Sequence, residues 1–469
     1  MVAALRSLIA GDDRDVVVYR DGRATTRGEV RAAAKTLAEV LSTLDVRGRA
    51  VGVLMPNEPG AIAAWFAIWD AGAAFVPLNP RAPAAEVAQV IERTGVVAVV
   101  EPGGVRTTAP ATARAVDAGD AIVQFTSGTT GAPKAVVLRH DTVSELLDTV
   151  IGSLRGGRSD RARMPNLVPM SLALWAGIYQ VLFAFKLGVP VVLMDHFEPR
   201  EFARLVAEYG IRSSVLPPAA LVMLLQDSAV ETLDPLRYVR SVSAPLSPAQ
   251  ARRFHERFGI AVLNGYGQTE LGGEAVGWTA DDWKQNGLRK LGSVGRPHAA
   301  FRLRVRGSDG ALVEPGDVGE LEIMSTSALP SGDAAMEGRV TDDGWLRTGD
   351  LARIDDEGFV WIEGRVSAMI NRGGLKVYPD EVEEHLRGYG PVEDVSVVGL
   401  AEPRLGEVPW AFVVPRPGAS VDAEALRDWC RVHMAAYKIP AGVTVLDALP
   451  RNEMGKVLRN ELVTLAPAR

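Results

Sequence analysis

The sequence is poor in the residues that build disulfide and metal sites. Cys430 is the single cysteine among 469 residues, and the six histidines are scattered, with no His-x-x-x-His pair. One cysteine excludes an intrachain disulfide and any multi-cysteine metal site, and it favours a reducing compartment. We expect Cys430 to be a small buried apolar residue. These absences predict a cytoplasmic protein and give little support to a zinc site.

Long apolar runs and an excess of positive charge are also lacking. The apolar stretches 61–74 and 172–185 are too short for a membrane span or are interrupted by polar residues, and the first ten residues do not resemble an export signal. The net charge of −7 argues against a general nucleic-acid surface. We therefore predict no transmembrane segment and no nucleic-acid partner. A chain of 469 residues suggests about two to four domains or subdomains.

What the sequence does contain is an alternation of strand-like and helix-like segments, which is typical of a wound α/β sheet. Strands are predicted at residues 49–54, 74–76, 96–100, 121–125, 189–194, 213–216, 239–243 and 261–263, with helices at 60–73, 83–93, 201–209 and 248–258. Short alternating segments at 301–305, 321–323, 351–354 and 359–362 predict a small β subdomain over about 292–363. Strands at 395–400 and 410–414 and a helix at 423–434 predict a separate α+β domain, with a boundary near 364–368.

Residues 125–134, Phe-Thr-Ser-Gly-Thr-Thr-Gly-Ala-Pro-Lys, have the composition of a polyphosphate-binding loop. Its glycines permit backbone angles that turn successive N–H groups toward one anion, and its hydroxyls and lysine add donors and charge. The contributing residues are Thr126, Ser127, Gly128, Thr129, Thr130, Gly131 and Lys134. The segment is not a Walker A sequence, because Ala132-Pro133 separate Gly131 from Lys134, so magnesium must be held elsewhere. The alternative is a surface turn rich in Gly and Thr.

A second candidate segment, residues 264–270, follows a predicted strand and should also lie at a sheet edge. Tyr266 offers a flat face to a purine, Thr269 a hydroxyl to a phosphate, and Glu270 a hard oxygen ligand for magnesium. Taken alone, a Gly-Tyr-Gly turn next to an acid is equally well explained as an ordinary turn.

Three further polar residues fit the same chemistry. Asp350 is suited to accept both ribose hydroxyls, and Arg365 to donate to the same sugar. Lys456 follows Gly455 in a predicted exposed loop, where a mobile domain can bring its charge to a forming anionic centre. Taken singly, Asp350 is explained as an aspartate that caps a turn, Arg365 as part of a surface ion pair, and Lys456 as a solvated surface lysine.

Together and in this order, the segments resemble the adenylate-forming superfamily of acyl-CoA synthetases, peptide-synthetase adenylation domains and luciferases. Residues 126–134 look like the family's phosphate loop, 266–270 its adenine and magnesium segment, and 344–350 its ribose segment. Residues 364–365 with 370–379 resemble the hinge and the first loop of the mobile domain, and 437–440 with 455–456 the terminal segments. Residues 54–57, 71–73 and 77–80 are similar to the family as well.

The resemblance implies a large N-terminal domain of wound α/β sheets with a small β-barrel-like subdomain, and a small mobile α+β C-terminal domain. The implied bounds are 1–365, a hinge at 366–368, and 369–469. The implied ligands are ATP, Mg2+ on Glu270, and CoA as co-substrate, with Lys456, Glu270 and Thr269 as catalytic residues. The implied nucleotide and CoA contacts, beyond the phosphate loop, are Ser243, Ala244, Pro245, Asn264, Gly265, Tyr266, Gly267, Asp350, Arg365, Gly373 and Gly374.

The chain departs from the family pattern at several positions. Ala135 stands where glycine is usual, and Ser367-Ala368 replace the common Lys-Asp or Lys-Glu pair of the hinge. Leu172 stands about where many relatives carry the histidine that helps gate the acyl tunnel. The implied substrate pocket comprises Leu172, Trp175, Gly265 and Leu271, and no residue near it calls for a second charged group on the substrate. An apolar or aromatic carboxylic acid is therefore the predicted substrate.

Three functions are consistent with this pattern. The leading prediction is an ATP-dependent acid–CoA ligase acting on a small fatty or aromatic acid. The second is a stand-alone adenylating enzyme that passes its activated intermediate to a carrier-protein thiol or another nucleophile. The third is a nucleotide-binding homologue without turnover.

Overall fold

The computed structural model describes residues 5–126, 134–154, 164–325, 338–451 and 455–466. The α-helices of these residues are α1 (Arg27–Ser42), α2 (Pro59–Asp70), α3 (Ala84–Thr94), α4 (His140–Leu154), α5 (Trp175–Leu187), α6 (Pro199–Glu208), α7 (Pro218–Gln226), α8 (Pro248–Phe258), α9 (Ala280–Asn286), α10 (Pro379–Arg387), α11 (Ala423–His433) and α12 (Arg459–Thr464). Short 3-10 helices lie at Arg6–Ile9, Thr269–Leu271, Val366–Ala368 and Ala436–Lys438.

The first fifteen strands belong to the N-terminal α/β region. They are β1 (Val16–Arg20), β2 (Arg23–Thr26), β3 (Ala50–Val53), β4 (Ala74–Pro77), β5 (Ala98–Glu101), β6 (Gly104–Thr107), β7 (Asp120–Thr126), β8 (Lys134–Arg139), β9 (Asn166–Val168), β10 (Val191–Leu193), β11 (Ser213–Leu216), β12 (Tyr238–Ser241), β13 (Ala261–Gln268), β14 (Gly273–Gly277) and β15 (Arg296–Pro297).

Nine further strands complete the described residues. They are β16 (Phe301–Arg306), β17 (Gly319–Ser325), β18 (Leu346–Ile354), β19 (Val360–Arg365), β20 (Ile370–Arg372), β21 (Leu375–Val377), β22 (Val392–Glu402), β23 (Gly406–Pro415) and β24 (Gly442–Val445).

The predicted wound α/β core is confirmed. One sheet has the order β6-β5-β3-β4-β7-β8, and its strands β5, β3, β4 and β7 are parallel. A second sheet has the order β2-β1-β10-β9. Helix α2 is buried on every side over residues 61–69, and its side chains share one hydrophobic cluster with strands of both sheets. An almost wholly apolar helix of this kind is stable only where neighbours cover all its faces.

The third sheet corrects the prediction for residues 264–270. The sequence placed this segment after its strand, but β13 continues to Gln268, parallel to β12 over its first half and antiparallel to β14 over its second. The antiparallel half depends on glycine, because a Cβ on Gly267 would lie 1.9 Å from the carbonyl oxygen of Gly273. The candidate adenine residues are therefore held in a hydrogen-bonded ladder.

The two remaining sheets follow the predicted change in pattern. Strands β16-β17-β18-β19 form an antiparallel sheet, and β18 starts at Leu346 where the sequence predicted 351. The last sheet has the order β21-β20-β23-β22 with β24 beside β23. Cys430 of α11 is buried in the apolar core of this last region, as expected. Gln226 of α7 bonds Glu393, and the Ala249 amide of α8 bonds Glu384, across to this region.

Candidate active site

Asp350 is the centre of a buried hydrogen-bond network that includes two other predicted site residues. Its Oδ2 accepts from the Tyr266 hydroxyl and from Gln268 Nε2, both at 2.6 Å, and its Oδ1 lies 2.7 Å from Arg365 Nε. Asp350 is only 3% exposed. Burial, and next the negative charge of Asp350, raise the pKa of Tyr266 well above its ordinary value. The tyrosine hydroxyl therefore remains a donor, and the carboxylate is oriented from both sides.

Local strand structure explains why Asp350 takes this position. Asp350 pairs with Arg365 in the β18–β19 ladder, so their side chains start from neighbouring backbone positions. The Thr348 hydroxyl accepts from the Asp350 amide at 3.1 Å and donates to the Leu321 carbonyl at 2.7 Å. Gly349 between them has φ +71°, a conformation open to glycine at little cost. The Thr-Gly-Asp segment thus fixes the carboxylate through its own backbone.

Glu270, the predicted magnesium ligand, is ion-paired. It lies in the 3-10 turn Thr269–Leu271 directly after β13, and its Oε1 is 2.9 Å from Arg339 Nη1. Arg339 Nη2 also donates to Gln268 Oε1 at 3.0 Å and to the Thr348 carbonyl at 3.1 Å. Arg339 therefore links the metal-ligand candidate to the Asp350 network. The sequence reasoning missed it because Arg339 belongs to no motif segment.

The donor set at Glu270 fits a magnesium ion that is shared with a phosphate. Carboxylate oxygen is a hard ligand of the kind Mg2+ prefers, and Mg2+ in nucleotide sites commonly binds one or two carboxylates together with substrate phosphates and water. Over the described part of the chain, no group of three or more His, Cys, Asp and Glu side chains forms a cage for a metal ion. One carboxylate next to a nucleotide is the arrangement expected for such an ion.

Lys456 is close enough to Asp350 and Arg365 for their charges to influence it. Gly455 has φ +73°, and a Cβ on it would lie 2.6 Å from the Cβ of Ala219 at the start of α7. Burial lowers the pKa of Lys456; the positive charge of Arg365 lowers it further, while Asp350 raises it. These influences mean that the lysine of the C-terminal region is close to both members of the Asp350–Arg365 pair. The loop that carries Lys456 therefore packs against the start of α7, within electrostatic range of the Asp350–Arg365 pair.

A partly buried ion cluster holds the segment that carries Lys456. Arg459, at the start of α12, is 2.5 Å from Asp380 Oδ1 and 2.8 Å from Glu383 Oε1 in α10. Burial alone would raise the pKa of Glu383, but the charges of Arg459 and Arg387 lower it. Sequence reasoning missed this cluster, since Arg459 was visible only as one more charge near the C-terminus.

Gly373 and Gly374 form the turn between β20 and β21. Arg372 pairs with Leu375, and the two glycines between them have φ +61° and +89°, as a two-residue turn with both central residues at positive φ requires. The Gly373 amide donates to the Leu405 carbonyl at 2.7 Å. This turn contacts Leu405 and Asn371 of the C-terminal region, whereas Lys456 is the residue of that region whose charge is influenced by Asp350 and Arg365.

The predicted phosphate loop is framed by two strands. β7 runs parallel to β4 and ends at Thr126, and the antiparallel β8 begins at Lys134. The expected position of the loop after the carboxyl end of a strand is confirmed by these bounds. Residues 127–133, which include Ser127, Gly128, Thr129, Thr130 and Gly131, lie outside the described residues.

The remaining nucleotide candidates lie directly after β12 and within β13. Ser241 pairs with Asn264 in the parallel ladder, so Ser243, Ala244 and Pro245 leave the sheet beside the start of the 264–267 segment. Ser243 has φ +78°, which is unusual for a residue with a side chain. A bend of this kind where two parallel strands end is consistent with the predicted role at the nucleotide.

The predicted substrate residues pack around the β13–β14 hairpin and the start of α5. Trp175 Nε1 donates to the Gly272 carbonyl at 3.0 Å, and Leu271 is buried beside this turn. Leu172 is buried, and its amide donates to Asn57 Oδ1 at 2.7 Å. Asn57 also donates to the carbonyls of Met170 and Met194, which fixes the path of the chain into α5.

A charged cluster lies next to Gly265, where the sequence argument included no charged residue. Glu274 Oε1 accepts a short hydrogen bond from Arg240 Nη1 and lies 2.9 Å from His298 Nε2. A Cβ on Gly265 would be only 2.6 Å from Glu274 Oε2. These three ionisable residues are widely separated in the sequence and belong to no motif, so only the tertiary structure reveals the cluster.

Comparison with known proteins agrees with this geometry. The family model described as AMP-binding enzyme matches residues 9–119 and 104–330, and the model described as AMP-binding enzyme C-terminal domain matches residues 381–456. A long-chain-fatty-acid–CoA ligase of Mycobacterium tuberculosis is 31% identical over 93% of this chain and 92% of its own length. A feruloyl-CoA synthase of an Amycolatopsis species is 31% identical over 95% and 94%.

Solved structures show the same relationship. An amide bond synthetase from Marinactinospora thermotolerans superposes with a TM-score of 0.83 at 28% identity, covering 98% of this chain and 99% of that one. An o-succinylbenzoate CoA synthetase from Bacillus subtilis, in complex with ATP and magnesium, has a TM-score of 0.83 at 25% identity, covering 98% of each.

The chain belongs to the AMP-binding enzyme family, that is, to the adenylate-forming superfamily, and within it is acyl-CoA-ligase-like. Among the described residues, no helix is long and apolar enough to cross a membrane.

Proposed function

We propose that this protein joins a small carboxylic acid to CoA at the expense of ATP, in two half-reactions. In the first, the acid carboxylate attacks the α-phosphorus of ATP, giving an acyl-adenylate and releasing pyrophosphate. In the second, the CoA thiol loses its proton and its sulfur attacks the acyl carbon, giving a thioester and releasing AMP. The observation that carries this proposal is the convergence of Tyr266, Asp350, Arg365 and Lys456, because these residues come from separate parts of the chain.

The protein promotes the first half-reaction by positioning ATP and the acid and by placing positive charge near the reacting groups. Tyr266 lies against the adenine and Asp350 with Arg365 binds the ribose, while Ser243, Ala244, Pro245 and the 264–267 segment complete the base site. The loop from Thr126 to Lys134 holds the β- and γ-phosphates that leave as pyrophosphate. Two anions must approach each other in this step, and fixed cationic groups lower the barrier most effectively when they are already in place.

Lys456 and Glu270 act at the reacting centre. Lys456 donates to the oxygens between the acid and the α-phosphate, and its displacement from water strengthens that interaction. Thr269 supplies a hydroxyl to the same phosphate. Mg2+ bound by Glu270 would neutralise charge on the phosphates. No enzyme nucleophile is needed, because each half-reaction transfers the group directly between substrates.

The second half-reaction requires a different arrangement of the C-terminal region. We assign residues 1–365 to the N-terminal domain, 366–368 to a hinge and 369–469 to the mobile domain. The turn Val366–Ala368 directly follows Arg365, so rotation there would withdraw Lys456 and bring Gly373 and Gly374 to the site. The polar contacts of Gln226 with Glu393 and of Ala249 with Glu384 are of a kind that such a movement can break and remake.

A small acid panel tests this function. Purified protein, ATP, Mg2+ and each acid should release pyrophosphate, and adding CoA should yield AMP and a thioester in equal amounts. Lys456→Ala should abolish adenylate formation while ATP binding, measured by calorimetry, is largely kept. Turnover by Lys456→Ala equal to that of wild type would remove the assigned role. ATP binding without pyrophosphate release from any acid would favour the homologue without turnover.

A second acceptor is favoured by one specific observation. The likeness to an amide bond synthetase extends over nearly the whole chain, and an amine attacks an acyl-adenylate as readily in principle as a thiol does. Offering CoA, an amine and a phosphopantetheinyl carrier protein in competition distinguishes the acceptors. If an amide or a carrier-bound product forms and no acyl-CoA does, the acceptor is the amine or the carrier protein and not CoA.

The single cysteine and the CoA chemistry together support action in the cytoplasm.

A further inference from the structure

Three ionisable side chains from separate elements meet beside the candidate acid site. Arg240 lies on β12, Glu274 on β14, and His298 directly after β15. Arg240 and His298 both bond Glu274 Oε1, and the three side chains are only 20%, 14% and 11% exposed. Charges this far withdrawn from water are costly unless they are paired and fixed. The cluster is therefore a built part of the site.

Glycines make the room for this carboxylate. A Cβ on Gly265 would lie 2.6 Å from Glu274 Oε2, and one on Gly277 would lie 2.0 Å from Oε1. Any larger residue would displace the glutamate. Gly265 directly precedes Tyr266, whose hydroxyl bonds Asp350, so the Glu274 carboxylate of β14 lies against β13, the strand that bears the proposed nucleotide contacts.

Aromatic side chains form the neighbouring wall. Trp175 bonds the Gly272 carbonyl, and its ring centroid is 5.8 Å from that of Tyr179. A Cβ on Gly273, the residue before Glu274, would lie 3.8 Å from the Tyr179 ring. Burial, and next the charge of Glu274, raise the pKa of Tyr179, which agrees with their closeness. Flat aromatic faces beside an anionic group suit a planar substrate with a polar end.

The two oxygens of Glu274 are in different situations. Within the described residues, the hydrogen bonds from Arg240 and His298 both fall on Oε1, whereas Oε2 is directed toward Gly265. An ionised carboxylate only accepts hydrogen bonds. A ligand group next to Oε2 is therefore favoured when it donates a hydrogen and disfavoured when it brings a lone pair or a second negative charge.

We propose that Glu274, held by Arg240 and His298, determines specificity by accepting a hydrogen bond from the acid, and that the preferred substrate is an aromatic carboxylic acid with a hydroxyl or amino group far from its reacting carboxylate. This inference rests on the proposed function. A plain fatty or unsubstituted acid leaves Oε2 without a partner after water is displaced, and sites built to bond a substrate hydroxyl reject analogues that lack it strongly.

The test compares matched acids in ATP–pyrophosphate exchange. Benzoic and cinnamic acids are each used with a para-hydroxy, para-amino, para-methoxy, para-carboxy or hydrogen substituent. Using two lengths avoids assuming how far the ring lies from the reacting carboxylate. In the wild-type protein, kcat/KM for the hydroxy and amino acids should exceed that for the methoxy and unsubstituted acids by about tenfold or more at the better length.

Two substitutions of Glu274 sharpen the test. Glu274→Gln keeps the shape, and its amide oxygen takes over the bonds from Arg240 and His298, which turns the amide NH2 toward Gly265. The preference should then reverse toward the methoxy and para-carboxy acids. Glu274→Ala should abolish the preference. Glu357→Gln is the matched control, because Glu357 is likewise paired with two basic side chains, Arg289 and Lys290, and this variant should keep the wild-type order.

Each outcome decides the matter. Equal rates across the wild-type series, a wild-type preference for the methoxy or para-carboxy acid, or an unchanged order in folded Glu274→Gln would overturn the inference. If the variants fail to fold by circular dichroism, the wild-type order decides alone. A plain fatty acid is assayed alongside: exchange with the fatty acid but with no aromatic acid would also overturn the inference, whereas no exchange with any aromatic or fatty acid would instead refute the proposed function.

Discussion

Asp350 and Arg365 face each other on neighbouring antiparallel strands, with Arg365 Nε 2.7 Å from Asp350 Oδ1. Arg365 is also the last residue of β19, directly before the turn Val366–Ala368 that we assign to the hinge. The ion pair therefore joins the proposed ribose site to the proposed pivot, and Lys456 is near enough to both charges for them to alter its pKa. We therefore expect this pair to couple nucleotide binding to the position of the C-terminal region.

The first prediction concerns the ribose site. Asp350→Asn should weaken ATP binding about 10- to 100-fold, since a hydrogen bond to a charged group contributes about 1.5–3 kcal/mol. Tyr266→Phe keeps the ring and removes only the hydroxyl that orients Asp350, so its effect should be smaller, about threefold to tenfold. Calorimetric ATP titration measures both. Wild-type affinity in a folded Asp350→Asn protein would contradict the ribose assignment.

The second prediction concerns the Arg339–Glu270 pair. Mg2+ must compete with a guanidinium already 2.9 Å from the carboxylate, so Arg339→Gln should lower the Mg2+ concentration that gives half-maximal ATP binding. A partly exposed pair contributes up to about 1 kcal/mol, which corresponds to about fivefold. Titrating Mg2+ at fixed ATP and following ATP binding by fluorescence provides the measurement. Arg289→Gln, which breaks an ion pair with Glu357, is the control and should leave the Mg2+ dependence unchanged.

An unchanged or higher Mg2+ requirement in Arg339→Gln would show that Arg339 does not compete with the metal. Its bonds to Gln268 and the Thr348 carbonyl would then be its main contribution. That contribution is structural, and it would appear as a lower melting temperature together with weaker ATP binding at saturating Mg2+.

The third prediction follows from the lowered pKa of Lys456. Burial and Arg365 favour the neutral amine, so the charge should be lost on raising the pH through a value below the ordinary 10.5. For adenylate formation, kcat/KM should fall along this alkaline limb, because it reports the free enzyme. The same shift affects stability, because the folded protein must keep Lys456 charged in a less favourable environment than the unfolded chain does. This reduction of the free energy of unfolding is present at neutral pH and disappears as the pH rises toward 10.5.

Lys456→Arg tests whether the alkaline fall in kcat/KM comes from deprotonation of this side chain, because a guanidinium stays protonated throughout this pH range. Its rate is expected to be lower, but its alkaline limb should disappear. Lys284→Arg, on the exposed face of α9, should keep the limb. Persistence of the same limb in Lys456→Arg would assign it to another group.

The sequence and the structure agree best where short-range patterns determine the outcome. The helix at 248–258 and the strand at 213–216 were predicted with their observed bounds, since a capping serine before a proline and a short segment ending in Val and Leu are local signals. Residues 264–268 were predicted after the strand but lie within it. Glycines normally mark a turn, and here they permit β14 to approach, which depends on tertiary context.

The candidate site residues divide in the same way, into those found from local motifs and those that depend on tertiary contacts. Tyr266, Asp350, Arg365 and Lys456 were identified because they belong to ordered motif segments. Arg339, Glu274 and Arg240 were missed because each is a single charged residue in an unremarkable stretch, and its role arises only from the partner it meets. Charged residues that are distant in sequence can be paired correctly only when the packing of their strands is known.

The last prediction uses Gly455 to separate the two half-reactions. A methyl group there would press on Ala219 at 2.6 Å and would also strain a backbone with φ +73°, so Gly455→Ala should prevent Lys456 from reaching the Asp350 network. Adenylate formation should fall about 100-fold, the effect of misplacing a reacting group by about 1 Å. Thioester formation from added acyl-adenylate and CoA should change little, because the proposed rotation withdraws this loop.

Gly418→Ala is the matched control. Gly418 has φ +77° with no atom within 4 Å of the added methyl, so this variant has the backbone strain without the contact. Equal loss in both half-reactions, or an equal loss of adenylate formation in Gly418→Ala, would show that contact with Ala219 is not what positions Lys456.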